Sequence, residues 1–322
     1  MNKLTLGVLF LKALFSNNIS PFIVSWSITH RCNLQCRYCG VDKLHFSREP
    51  DVFKIKEVVG ELYRCGTRVM KFTGGEPLIR DDIAEIVNFS HNLGMYVTLS
   101  TNGHMFAERI RQIEHLDFIN ISIDGPESVH DAVRGKGSYA VAEKALVVAK
   151  SKKIMVGIST VLSTINLDSL EYVLKLAEHY RVKVFFQPAV KNLLFTNEQN
   201  PISPEVSRYK SAILRLMSAK KTSATIGNSL SGLKHLYSWP VPRRICCKAG
   251  KVFCRLDTEG QVSFCSKSID KIKEANIIKQ GVQQSMEQLK SFHGCDECWY
   301  YPLIEVNLLC QYKVDTLMGM LF

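Results

Sequence analysis

Between Phe22 and Pro188, short runs rich in β-branched and aromatic residues alternate with longer stretches of helical period. That order leaves room for little besides parallel strands joined by crossover helices. Six runs read as strands: Ile23 to Ile28, Val69 to Thr73, Tyr96 to Ser100, Phe118 to Ile123, Met155 to Leu162 and Val182 to Phe186. Between them lie the helical patterns Lys54 to Arg64, Asp81 to Leu93, Tyr139 to Ala149 and Leu167 to His179; the second and last open on acidic residues that suit a helix N-terminus. The expected fold class is α/β, a partial (β/α)6 TIM-type barrel, and in such barrels chemistry is sought at the C-terminal ends of the strands.

The chain has 322 residues, enough for one large domain plus an appendage. Asn200 to Pro204 is rich in turn formers, Pro204 to Ala219 reads as a helix, and the chain is ambiguous from there to Arg244. Beyond it, Lys251 to Asp257 and Gln261 to Phe264 flank the turn Thr258-Glu259-Gly260, which predicts a hairpin among cysteines. The expected organisation is an apolar helix over 1–21, the barrel over 22–190, a helical connection over 191–245 and a small cysteine-rich hairpin and helix extension over 246–322.

Leu4 to Phe15 is apolar but has no small-residue cleavage site, is interrupted by Lys12 and is too short to span a bilayer. It reads either as a helix packed on the main domain or as a peripheral contact with a membrane surface. The net charge of +11 favours acidic partners, but the basic residues are scattered with no aromatic-interleaved patch, so nucleic acid is not expected.

Eleven cysteines, several two or three residues apart, suit metal binding better than a disulfide framework and imply a reducing, cytoplasmic compartment. Directly after the first strand, Cys32, Cys36 and Cys39 lie on one loop with spacing x3 and x2. A four-iron cluster held by three thiolates keeps one iron open to a small molecule; a zinc site would want a fourth nearby ligand. With Tyr38 just before the last cysteine, the loop resembles the signature of the radical S-adenosylmethionine (SAM) superfamily. The resemblance implies a 4Fe–4S cluster whose open iron is chelated by the methionyl amine and carboxylate of SAM, and whose electron cleaves SAM to a 5′-deoxyadenosyl radical that abstracts a substrate hydrogen.

The second strand ends in Gly74-Gly75-Glu76-Pro77. Glycines let a backbone approach a ligand closely, and Glu76 offers a carboxylate to an ammonium group. Placed one β/α unit after the cysteine loop, this stretch resembles the superfamily's motif for the methionyl amine. By the same resemblance Ser122 and Arg134 are candidates for the ribose and carboxylate of SAM, followed by Asn102, with Gln187 facing the same mouth; as strand-end residues they are also ordinary turn and capping types.

Of the later cysteines, Cys295 and Cys298 form a Cys-x2-Cys pair and Cys265 sits on the far arm of the hairpin. The arrangement resembles the twitch and SPASM auxiliary-cluster extensions of the superfamily, which implies Cys247, Cys265, Cys295 and Cys298 as ligands of a second 4Fe–4S cluster. Cys246 can stand in for Cys247, Cys254 and Cys310 are left over, and four-cysteine zinc uses similar spacings, so cluster and zinc both stay open. Cys65 reads as a small core residue.

An auxiliary cluster that accepts an electron favours oxidation or bond formation over redox-neutral addition. The expected substrate is a small molecule, sugar, lipid or peptide, with flavodoxin or ferredoxin as reductant. Only about 21 residues precede the first strand, too few for a leader-binding winged helix, so a peptide substrate implies a separate recognition protein. The other readings are such a SPASM-type maturase and a non-catalytic electron carrier, for which the Gly-Gly-Glu-Pro cradle would have no use. No catalytic acid or base is identified: Asp257, Glu259, Asp296, Glu297 and Glu305 read as solvated turns or caps.

Overall fold

The computed structural model describes residues 3–15, 21–44, 49–193, 196, 198–265, 275–291, 297–313 and 315–316. The six expected runs form β1 (Ile23–Thr29), β2 (Val69–Gly74), β3 (Tyr96–Thr101), β4 (Phe118–Ser122), β5 (Met155–Leu162) and β6 (Lys183–Pro188), each parallel to the next. Helix α1 (Lys3–Phe15) precedes the sheet; α2 (Val52–Arg64), α3 (Ile83–Asn92), α4 (Phe106–Arg109), α5 (Glu127–Arg134) with α6 (Ser138–Ser151), and α7 (Leu170–His179) make the crossovers. The remainder contains α8 (Val206–Lys220), α9 (Leu230–Leu236), β7 (Phe253–Leu256), β8 (Val262–Ser263), α10 (Ile277–Gln280), α11 (Val282–Glu287) and α12 (Tyr301–Leu309).

Local chemistry sets these boundaries. Asp51 caps α2 by accepting from the Lys54 amide at 2.8 Å, a contact that contributes about 1 kcal/mol. The buried residues Ile55, Val58, Val59 and Leu62 then make one stripe against the sheet. Strands β1, β2 and β3 alternate apolar with polar residues. Val24, Trp26, Ile28, Met70, Phe72, Val97 and Leu99 are buried under the helices, and each such side chain contributes roughly 1.5–3 kcal/mol. Ser25, Lys71, Thr73, Thr98 and Ser100 alternate with them on the other face. Parallel strands are usually apolar on both faces. A polar inner face therefore marks a lumen built for polar contents.

The sheet has eight strands in the order β6-β5-β4-β3-β2-β1-β7-β8. The predicted hairpin exists, with β8 antiparallel to β7, but β7 also pairs in parallel with β1, from Ile23 opposite Phe253 to Trp26 opposite Leu256. The Trp26 indole donates to the Asp257 carbonyl at 3.0 Å across this seam. The extension is thus continuous with the barrel sheet. Among the described residues no helix is long and apolar enough to cross a membrane.

Candidate active site

The C-terminal ends of β1 to β6 surround a cavity of about 190 Å³. Its wall includes Cys32, Cys36, Tyr38 and Cys39 from the loop after β1, Gly74 and Gly75 at the end of β2, Asn102 after β3, Ser122 at the end of β4, Arg134 of α5 and Gln187 of β6. Residues from six separate chain segments thus converge where the strand-end rule places chemistry.

The cysteine loop is seated on backbone. The β1–β2 register shifts between Ser27 and Thr29, which pairs with Gly74. The Gly75 amide donates to the Thr29 carbonyl at 2.8 Å and the Glu76 amide to the Arg31 carbonyl at 2.9 Å. A Cβ on Gly74 would lie 2.1 Å from the Thr29 oxygen, and one on Gly75 would lie 2.3 Å from the Arg31 oxygen. The glycines therefore first admit the start of the cysteine loop itself. On its other side the loop is tied to α5 by the Arg37 amide, which donates to the Val133 carbonyl at 3.0 Å.

Glu76 and Pro77 do not line the cavity. The Glu76 carboxylate accepts from Thr101 Oγ1 at 2.8 Å, from the Asn102 amide at 2.7 Å and from the Leu78 amide at 3.1 Å, locking the end of β2 to that of β3. Burial pushes its carboxyl up to about 7 despite these bonds. Pro77 starts a buried single turn. Asn102 borders the cavity and spends its amide on Asn33 Oδ1 at 2.8 Å, bracing the cysteine loop.

Arg134 is buried and paired: its Nε donates to Asp124 Oδ2 at 2.6 Å, Nη1 lies 4.0 Å from Cys36 Sγ, and the guanidinium sits 5.4 Å from the Tyr38 ring centre. Burial works against its charge, and Asp124 more than reverses that, holding the pKa well above its usual range. Asp124 in turn accepts from the Val161 amide at 2.8 Å. Burial raises all three thiols, Cys32 to about 11 and Cys39 to about 12, with Arg134 opposing the rise at Cys36. Thiolates at these positions need a cationic partner.

Sequence reasoning missed the far wall. Tyr300 and Tyr301, at the start of α12, border the same cavity. Lys71 donates to the Tyr300 hydroxyl at 2.6 Å, Asn120 Nδ2 to the Tyr301 hydroxyl at 3.2 Å, and the Tyr301 ring stacks on Phe185 at 4.8 Å. Asn120 Oδ1 and Gln187 Oε1 are buried acceptors without a hydrogen-bond partner among the described residues. Buried acceptors of this kind call for a donor from a bound molecule.

Of the predicted second cluster of cysteines, Cys247, Cys265 and Cys298 are half-buried, and Cys295 lies outside the described residues. Asn307 Nδ2 lies 4.0 Å from Cys247 Sγ, and its Oδ1 accepts from the Lys248 amide at 2.8 Å. Cys254 is buried in β7, where burial pushes its thiol far up. Cys310 is pushed up to about 11 by burial.

The structure thus sets three thiols at the mouth of a polar-lumened half barrel, a donor set of the kind that suits an iron–sulfur cluster. Residues 26–177 match the family described as the Radical SAM superfamily. This stretch is thus a Radical SAM domain, and enzymes of that superfamily use a 4Fe–4S cluster and SAM. It is 29% identical over 286 residues to the mycofactocin maturase MftC of Mycolicibacterium smegmatis, covering 84% of this chain and 70% of that protein. It is 32% identical over 171 residues to the pre-heme d1 synthase of Dinoroseobacter shibae, covering 51% of this chain and 42% of that one. Among solved structures it resembles Streptococcus suis SuiB bound to precursor peptide SuiA, with TM-score 0.68 at 10% identity over 88% of this chain and 70% of that one.

Proposed function

We propose that the chain is a radical SAM maturase acting on a peptide or protein, with Cys32, Cys36 and Cys39 holding the 4Fe–4S cluster and the cavity beside them holding SAM. The observation that carries this reading is the convergence of three half-buried thiols, the Gly74-Gly75 backbone, Asn102, Ser122 and Arg134 on one cavity. The donor set suits the group: three soft ligands whose burial disfavours free thiolates gain the cationic partner they require. When bound, the cluster supplies the electron that cleaves SAM to methionine and a 5′-deoxyadenosyl radical.

The chain's own residues then bind and orient. Arg134, held charged by Asp124, offers its remaining N–H groups to a carboxylate or to the cluster sulfurs. Ser122 offers a hydroxyl, the unmet acceptors Asn120 Oδ1 and Gln187 Oε1 take N–H donors from adenine or a substrate amide, and Tyr300 and Tyr301 limit how far a substrate enters. Glu76 acts in this reading as the brace between β2 and β3.

A peptide or protein substrate is favoured because the likeness to the mycofactocin maturase runs over 84% of this chain, whereas that to the pre-heme d1 synthase covers 51%. Cys247, Cys265, Cys295 and Cys298 are assigned to an auxiliary 4Fe–4S cluster that accepts the substrate's second electron. Eleven closely spaced cysteines favour a reducing, cytoplasmic compartment and a flavodoxin- or ferredoxin-type donor.

The test is anaerobic reconstitution with iron and sulfide, followed by iron counting and a dithionite assay for 5′-deoxyadenosine. About eight irons with cleavage, falling to about four without cleavage when Cys32, Cys36 and Cys39 are replaced by Ala, is the expected result. Loaded protein that neither binds nor cleaves SAM overturns the reading, and about four irons with one tightly held zinc removes the auxiliary cluster from it.

A further inference from the structure

We propose that the end of the barrel opposite the cavity docks on an anionic lipid bilayer, with α1 as the inserted element and the turns around it as the headgroup contact. Helix α1 packs with Leu6, Leu9, Phe10 and Ala13 against the core, and the Phe10 ring meets the edge of Phe22 at 5.4 Å. Phe22 immediately precedes β1, and its carbonyl accepts from the Arg68 and Val69 amides, so α1 sits at the N-terminal edge of the sheet. The opposite stripe of α1 is bare: Leu4, Val8, Leu11 and Phe15, spaced by four, three and four, are 46–80% exposed. This is an unusual amount of large apolar side chain to leave on one short helix in water.

The same end of the molecule concentrates the positive charge. The turns at the N-terminal ends of the strands, 64–68, 91–95, 110–117, 150–154, 178–183, 220–225 and 248–252, carry twelve Lys or Arg against three Asp or Glu. That surplus of nine is most of the chain's net +11. The three carboxylates are Glu114, Asp117 and Glu178, and the histidines at this end are His91, His115 and His179. Lys150, Lys153, Arg181 and Lys183 line one shallow concavity with Glu178 as its sole carboxylate. Lys153 and Arg181 even occupy left-handed backbone positions, φ 58° and 53°, that disfavour residues with a Cβ and more often fall to glycine.

An apolar helix stripe beside a field of cations is the chemistry of an interfacial anchor on anionic lipid. A second copy of this chain would bring two strongly positive faces together. RNA would want stacking rings among the cations, whereas three of the four exposed residues here are aliphatic. Strands of five to eight residues at about 3.3 Å per residue set the cavity mouth roughly 20 Å from the bilayer, opening toward water. The substrate would then be taken from solution, not drawn out of the membrane.

The experiment is vesicle co-sedimentation of the reconstituted full chain, using phosphatidylcholine vesicles with and without phosphatidylglycerol. Binding to the anionic vesicles alone, weakened by salt, is expected. The triple change Lys150→Gln, Lys153→Gln, Arg181→Gln should weaken it on the order of a hundredfold at low salt, and Leu4→Asp with Leu11→Asp at least roughly tenfold. Circular dichroism and 5′-deoxyadenosine production should stay at the wild-type level in both, which separates a docking defect from misfolding. No binding to anionic vesicles, equal binding to neutral ones, RNA binding without vesicle binding, or a dimer in solution that Leu11→Asp dissolves would each overturn the proposal.

Discussion

The two sets of cysteines are built in opposite ways. Cys32, Cys36 and Cys39 come from one eight-residue stretch, pressed onto the ends of β1 and β2 by backbone contacts that only glycine permits. Cys247, Cys265 and Cys298 come from three separate segments, each positioned by its own neighbours. The first site is encoded locally and inherits its rigidity from the sheet. The second depends on long-range packing, so damage to it should spread and damage to the first should stay at the mouth.

The largest effect expected from that contrast is at Gly75. Gly75→Ala drives a Cβ into the Arg31 carbonyl and displaces the cysteine loop; 5′-deoxyadenosine production should fall at least about a hundredfold, with loss of the iron bound by that loop. Gly137→Ala, with nothing within 4 Å of the added Cβ but φ at 81°, should cost only about 1 kcal/mol in urea melts and leave the iron in place. Equal iron loss in both variants would break the comparison.

Next comes the ion pair at the mouth. Asp124→Asn leaves the buried Arg134 guanidinium without its counter-charge and should cost about 3–5 kcal/mol, together with SAM affinity measured by calorimetry. A loss of affinity without loss of stability would mean that Arg134 finds another partner.

The two regions share one titration. Burial raises Glu76 at the mouth and Glu305 in α12 to about 7 from the ordinary 4.5. Each carboxyl binds its proton more tightly in the folded chain, so the stabilisation is complete below pH 4.5 and is lost as pH rises through about 7. The stability of the iron-free chain should decline by on the order of 3 kcal/mol per group between pH 5 and 8. In Glu305→Gln half of that decline should disappear, as chemical denaturation across the pH range would reveal.

The smallest effect separates core thiols from ligand thiols. Cys254→Ala removes a buried sulfur from β7 and should cost about 1–2 kcal/mol without changing the iron count. A loss of iron would make Cys254 a ligand.

What could be read from the chain alone follows the same division. All six barrel strands, the cysteine loop and the Gly74-Gly75 turn announce themselves within a few neighbouring residues, through period-two runs, close cysteine spacing and paired glycines. Tyr300 and Tyr301 carry no such local signal; what brings Tyr300 to Lys71 is a contact 229 residues long. Nothing local in the sequence marks Asp124 as the partner of Arg134, which the fold brings against it. The expectation that Glu76 faces a ligand came from its motif, whereas its bonds to Thr101 and Asn102 depend on where β3 lies. The hairpin was legible, but its docking on β1 was not, since both flanks of a parallel sheet present similar edges to the eye.

That docking has a consequence for how the protein can be cut or evolve. Without β7, β1 would be a border strand, with a row of unanswered amides and carbonyls and the Trp26 indole stripped of its acceptor. Such a border recruits strands from other molecules. The C-terminal extension therefore doubles as a stopper, and a gene truncated after Arg244 should yield insoluble aggregates in place of a smaller working barrel.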